Sequence, residues 1–344
     1  MTRALLVTGG GGVGKTTLAA GLAVTAARRG IEALVVTVDP ARRLADALGQ
    51  VKLGSEPVRH PDEPRLWAAM LDATASWRAI VERHATPEAA ARLLESEFFT
   101  AATGHFPASQ SYAAAEEMAV YLEAKVWDLV VVDTPPSAGG IEFFTAPAQM
   151  ADLIGGRLLR WLTGARLPGR QVFFDLAARP ALRIADSILG SNLLERVAQF
   201  LMDLRTTYDG VSRRAKEIER LLRRSSTVVV TTSDPSPMRE AVRFFLELPE
   251  VAGRPAAVVF NRALPVGWAD SHPGRGVPTA LAENLERWGA EARHQADVRL
   301  EFSSRYRAPL ATVPWQPTAP TDLDALQALI ESAEGLPVTD LGVG

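Results

Sequence analysis

The stretch Gly9-Gly10-Gly11-Gly12-Val13-Gly14-Lys15-Thr16 restricts what this chain can fold into more than any other. It fits G-x-x-x-x-G-K-[ST] and lies between a short apolar run and a helical pattern. Glycines let backbone amides converge on phosphate oxygens, and the helix N-terminus adds partial positive charge. Lys15 is then placed to bridge β- and γ-phosphates, and the Thr16 hydroxyl to ligate Mg²⁺. The chain has only four lysines, so one inside this motif is notable.

The same letters hold a competitor. Gly9, Gly11 and Gly14 spell G-x-G-x-x-G, and Asp39 follows a second apolar run at about the spacing of a ribose-binding acid, as in a dinucleotide site. Lys15-Thr16-Thr17 decides against it, because those residues serve no purpose there. Leu129-Val130-Val131-Val132-Asp133 supplies the missing half of a phosphate site: an apolar strand ending in an acid that can hold Mg²⁺ directly or through water. The reading is an ATP site with Gly9 to Thr17 as the cradle and Thr16 and Asp133 as metal ligands.

The rest of the chain fits a layered α/β fold with a mostly parallel sheet. Apolar runs at 4–8, 33–38, 66–71, 129–133, 227–232, 256–261 and 311–315 alternate with helical patterns. Several are apolar on consecutive residues, as strands buried on both faces should be. Helical insertions are expected at about 75–124, with a start signal at Thr86-Pro87-Glu88, and at about 147–224. In the second, Leu194, Val197, Leu201, Leu204, Tyr208, Val211, Ala215, Ile218 and Leu222 suggest one long helix with a narrow stripe and a bend near Gly210. Residues 265–278 read as an exposed loop. The organisation expected is one domain over 1–334 and a flexible tail over 335–344.

Composition removes several chemistries. With no cysteine, disulfides, thiolate zinc sites and a cysteine nucleophile are impossible. A net charge of −3 offers no whole-chain reason to expect nucleic-acid binding. No apolar run approaches the ~20 residues of a membrane span, and no signal peptide is evident. A cytoplasmic protein without stable membrane insertion is expected.

Three segments together resemble the arsenical-pump-driving ATPase family, which includes the ATPase that targets tail-anchored membrane proteins and belongs to the dimeric ATPases with a deviant P-loop. They are the glycine-rich loop, Thr37-Val38-Asp39-Pro40-Ala41-Arg42-Arg43-Leu44-Ala45-Asp46-Ala47-Leu48, and Asp133-Thr134-Pro135-Pro136. Val258-Val259-Phe260-Asn261-Arg262 and Val313-Pro314-Trp315-Gln316-Pro317 add support, so the likeness covers most of the chain. It implies that Asp39 positions the attacking water, that Asp133 begins the second switch and that Asn261 reads the adenine edge. Arg42 and Arg43 could contact phosphates or could simply be a solvated helix start. A homodimer, or a heterodimer with a paralogue, is implied as well.

The sequence departs from that family in three places. Gly10 stands where the family carries a signature lysine that crosses the dimer interface. Asp133-Thr134-Pro135-Pro136 continues Ser137-Ala138-Gly139-Gly140 rather than Thr-Gly-His, and the cysteines that bind arsenite or a shared zinc are missing. Targeting members bind a client's membrane helix in a groove after the second switch. The corresponding segment here carries Leu158, Trp161, Phe173 and Leu182, and 151–224 holds fourteen basic against eight acidic residues. It reads as a client groove or as an ordinary helical subdomain. Rival readings are a non-catalytic regulatory subunit and a positioning ATPase of the chromosome or division-site type.

Overall fold

The computed structural model describes residues 2–39, 43–49, 53–105, 108–135, 138–155, 193–270 and 277–344. It divides into two compact units: Met1–Asp72 with Glu117–Phe144 and Leu221–Gly344, and Ala73–Glu116 with Thr145–Arg220.

The first unit is built on one eight-stranded sheet in the order β3-β4-β2-β5-β1-β6-β7-β8. Its strands are β1 (Arg3–Gly9), β2 (Ala33–Thr37), β3 (Val58–Arg59), β4 (Leu66–Met70), β5 (Leu129–Asp133), β6 (Ser226–Thr231), β7 (Ala257–Ala263) and β8 (Leu310–Pro314). All neighbours pair in parallel except β3, which is antiparallel to β4. The central strands are buried along almost their whole length, which is why their sequences are continuous Val/Leu runs. Both β3 residues are exposed, so this strand carries no apolar signal and was not expected.

β1 lies in mid-sheet, with β5, β2, β4 and β3 following outward on one side and β6, β7 and β8 on the other. Ligands in such sheets bind beyond the carboxyl ends of the strands at this reversal of order. The glycine-rich loop follows β1 there. It leads into α1 (Lys15–Arg28), whose residues from Leu18 to Ala27 are all buried. A helix apolar on all sides is a core helix. On one side it packs against α12 (Leu323–Glu331), close enough that a Cβ at Gly21 would lie 2.9 Å from Ile330.

The remaining α-helices among the described residues are α2 (Arg43–Ala47), α3 (Ala73–His84), α4 (Pro87–Glu95), α5 (Glu97–His105), α6 (Ser109–Ala124), α7 (Ala138–Gly155), α8 (Leu193–Thr206), α9 (Tyr208–Arg224), α10 (Pro235–Val251) and α11 (Thr279–Tyr306). Thr86 caps α4 by accepting the Ala89 N–H, with Pro87 at the first helical position. In the second unit, α4 meets α8 through a bidentate pair, Arg92 Nε and Nη2 to Asp203 at 2.9 and 2.6 Å. Among the described residues no helix is long and apolar enough to cross a membrane.

Two expectations need correction. The single long helix over 194–222 is two helices, α8 and α9, broken at Thr207 rather than bent at Gly210. The Thr206 and Thr207 hydroxyls both donate back to carbonyls of the preceding turn, to Asp203 and Leu204 at 2.7 Å, and compete with the helical ladder. Gly210 lies inside α9, where a Cβ would stand 2.5 Å from His84 Nδ1, so its role is close packing. The tail is not frayed: Leu341 and Val343 are fully buried in the main core, and Glu334 bridges to Thr312. Burying such side chains contributes roughly 1.5–3 kcal/mol each. In the expected loop at 265–278, residues 265–267 are exposed, and Trp268 packs against Trp288 and Trp315 at centroid distances of 6.0 and 6.3 Å. Residues 156–192, most of the expected client segment, lie outside the described residues.

Candidate functional site

Sheet register creates the site. Thr37, the last residue of β2, is level with Asp133, the last residue of β5, and Asp133 is level with Val7 of β1. Three chemistry-bearing segments therefore end side by side. Asp133 Oδ2 accepts the Thr16 hydroxyl at 2.6 Å and the Thr37 hydroxyl at 2.9 Å. Its Oδ1 is buried and has no hydrogen-bond partner among the described residues. Burial pushes the Asp133 carboxyl up to about 6, although the two hydroxyls and Lys15 pull it down. A buried carboxylate oxygen without a partner costs free energy unless a cation or water meets it.

That orphaned oxygen is the test of whether Mg²⁺ fits, and it does. The Thr16 hydroxyl gives its hydrogen to Asp133, which leaves the lone pairs of its oxygen for a cation. Among the described residues no cluster of three His, Asp or Glu side chains forms an all-protein metal cage. Mg²⁺ does not need one, since it typically keeps waters and takes phosphate oxygens.

Lys15 is buried, and its ammonium donates to the Gly10 carbonyl at 2.8 Å. Burial lowers its pKa, opposed by Asp133, Glu240 and Asp39. Gly14 is the N-cap of α1 with φ 94°, and no side chain caps the helix. The first N–H groups of the helix are thus left for an anion. A side chain at Gly14 would also collide with the Asn261 amide.

These groups surround a cavity of about 490 Å³ lined by Gly11, Gly12, Gly14, Lys15, Thr16, Thr17, Asp39 and Asp133. Arg43 reaches Asp39, four residues earlier in the chain, at 3.7 Å. Gly9, Gly10, Val13 and Asn261 do not line it. Gly9 is pressed against the Val230 carbonyl, and Gly10 and Val13 offer their carbonyls to Lys15 and Asn261. The Asn261 amide is engaged at both ends: Nδ2 donates to Val13 O at 2.8 Å, and Oδ1 accepts Arg262 N–H at 2.9 Å. It braces the loop here. Arg42 and Pro136 lie outside the described residues.

Sequence reasoning missed three side chains at or beside the site. Thr37 was visible only as the residue two before Asp39. Glu240 of α10 brings its carboxylate against Gly10, where a Cβ would strike it, and its buried Oε2 has no hydrogen-bond partner among the described residues. Arg262 lines the cavity together with Pro320 and Thr321.

Comparison with known proteins agrees with this geometry. The family model described as anion-transporting ATPase matches residues 2–273. A Halobacterium salinarum protein named as an arsenical pump-driving ATPase is 28% identical over 97% of this chain, and the match covers 45% of that protein. An uncharacterized Streptomyces coelicolor protein is 33% identical over 86% of the chain and 70% of its own length. The ATPase GET3 of Malassezia globosa is 31% identical over 41% of each chain. The chain thus spans less than half the length of the first of these relatives.

Proposed function

The chain belongs to the anion-transporting ATPase family, and from that premise we propose that it is a Mg²⁺-dependent ATPase that switches between nucleotide states as a dimer. One observation carries the reading: Thr16 and Thr37 both donate to Asp133 at the carboxyl ends of the strands, in the cavity that Lys15 also lines, with a buried carboxylate oxygen left over among the described residues. Such a group suits the Mg²⁺-bearing polyphosphate of ATP and has no use in a dinucleotide site.

Lys15 would leave the Gly10 carbonyl and neutralise charge between the β- and γ-phosphates. The Thr16 hydroxyl oxygen would hold Mg²⁺, with Asp133 behind it directly or through water. When bound, the ion supplies charge neutralisation on the phosphate oxygens. Asp39, on the cavity wall, orients a water towards the γ-phosphorus. The water oxygen bonds to phosphorus, the bond to the bridging oxygen breaks, and ADP and phosphate leave. Placement of the nucleophile and stabilisation of charge are the main sources of rate in such transfers.

Dimerisation, as a homodimer or with a paralogue, and a hydrophobic protein client follow from the family resemblance and belong to the same proposal. So does a cytoplasmic setting without nucleic acid. The direct test is calorimetric binding of Mg·ATP. Lys15→Ala should weaken it about a hundredfold, the loss expected when a charged hydrogen bond is removed from a desolvated phosphate. Unchanged affinity would remove the phosphate-site reading.

A further inference from the structure

Two cations in the cavity, Arg43 and Arg262, have no task in the mechanism above, and Arg43 is already paired with Asp39. β7 runs beyond the apolar pattern through Asn261 and Arg262, and its pairing with β8 shifts register between Phe260 and Ala263. A bulge of this kind takes a side chain out of the strand's alternation and re-aims it. Arg262 adopts φ 58°, a left-handed conformation that side chains other than glycine rarely take. Backbone held this way persists only where its surroundings enforce it, and such residues cluster at ligand sites. Asn261 does the enforcing, by accepting the Arg262 N–H and tying itself to the Val13 carbonyl. Arg262 is thereby held next to Asn261, which braces the glycine-rich loop, and lies on the wall of the cavity that Lys15 and Thr16 line.

Charge adds a second observation. The described residues lining the cavity include three carboxylates, Asp39, Asp46 and Asp133, and three cations, Lys15, Arg43 and Arg262. Without Arg262 the carboxylates outnumber the cations in a site meant for a polyanion. Lys15 is bonded to Gly10 O and Arg43 is paired with Asp39. The Arg262 guanidinium makes no hydrogen bond or ion pair with the described residues, so it alone among the three is uncommitted.

We propose that Arg262 binds the polyphosphate of the nucleotide from within its own protomer, aimed by the Asn261–Arg262 bulge. The proposal rests on the ATP reading above and deepens it. Binding of Mg·ATP, inorganic tripolyphosphate and adenosine to wild type, Arg262→Gly and Arg262→Lys tests it, with melting temperature as the control for folding. Glycine is the residue this backbone favours, so Arg262→Gly should melt at or above the wild-type temperature. Its affinity for Mg·ATP and for tripolyphosphate should fall about tenfold, as for loss of one charged contact. Adenosine binding should not change, and Arg262→Lys should keep most of the affinity. The deficit should shrink in about 1 M salt, where the Debye length is about 3 Å. Undiminished Mg·ATP binding by Arg262→Gly overturns the proposal, as does an equal loss for adenosine, which marks a contact to the base. Failure of the wild type itself to bind Mg·ATP would be the distinct failure of the ATP reading.

Discussion

Gly10 shows how one residue sets the character of the site. It is not among the glycines with positive φ, so its conformation is open to other residues. What fills the space of its missing side chain is the end of a flexible one, the Glu240 carboxylate. Gly10→Lys should therefore fold, with Glu240 swinging aside and pairing with the new ammonium. If a lysine here adds a charge across a dimer interface, Mg·ATP should tighten dimerisation about tenfold or more, since charged hydrogen bonds are typically worth about 1.5–3 kcal/mol. Sedimentation velocity with and without Mg·ATP measures it. A wild type that already dimerises tightly, with no gain in the variant, would make the missing lysine irrelevant. At this scale the sequence was legible where chemistry is local: Lys15 and Thr16 follow from eight contiguous letters. Glu240 and Arg262 come to the loop from more than two hundred residues away, through the pairing of β1 with β6 and β6 with β7. No local pattern marks such residues.

Among the elements, the buried strands were legible because burial on both faces demands unbroken apolar runs. Helix boundaries were less so, because an apolar stripe continues across a break. The stripe of 194–222 survives the break at Thr207, since both α8 and α9 must still bury a face. The packing of α9 against α3 carries its own test. Gly210 lets α9 approach the His84 ring, whose Nε2 is buried without a partner. Burial first, and then Arg83, Arg214 and Arg213, lower the pKa of His84 below its ordinary 6.5, against Glu217. The unfolded chain therefore takes up a proton that the folded one resists. Stability is complete above about pH 6.5 and falls as pH drops below that value towards the lowered folded pKa. Melting curves at pH 7.5 and about 5.5 should show this loss, and His84→Gln should reduce it. An identical pH dependence in the variant would assign the loss to other groups.

Over the whole molecule, sheet order explains why the chemistry gathers at one edge. β1 lies where the strand order reverses, so the carboxyl ends of β2, β5 and β7 all deliver side chains to or beside the loop that follows it. The chain divides into two compact units with breaks at Asp72, Glu116, Phe144 and Arg220, where one domain over 1–334 was expected. The final ten residues were misread because glycine and proline outweighed Leu336, Val338, Leu341 and Val343, which face the core. The central claim is that this edge hydrolyses ATP and that Asp39 orients the water. Phosphate release by the purified chain and by Asp39→Asn, with Mg·ATP affinity measured on the same samples, tests it most directly. The wild type should release phosphate in a Mg²⁺-dependent manner. Asp39→Asn should bind Mg·ATP within about threefold of it and release phosphate at least about a hundredfold more slowly, as expected when a water-orienting group is removed. Equal turnover by the variant would make Asp39 structural, and no turnover by the wild type would make the chain a nucleotide-binding subunit rather than an ATPase.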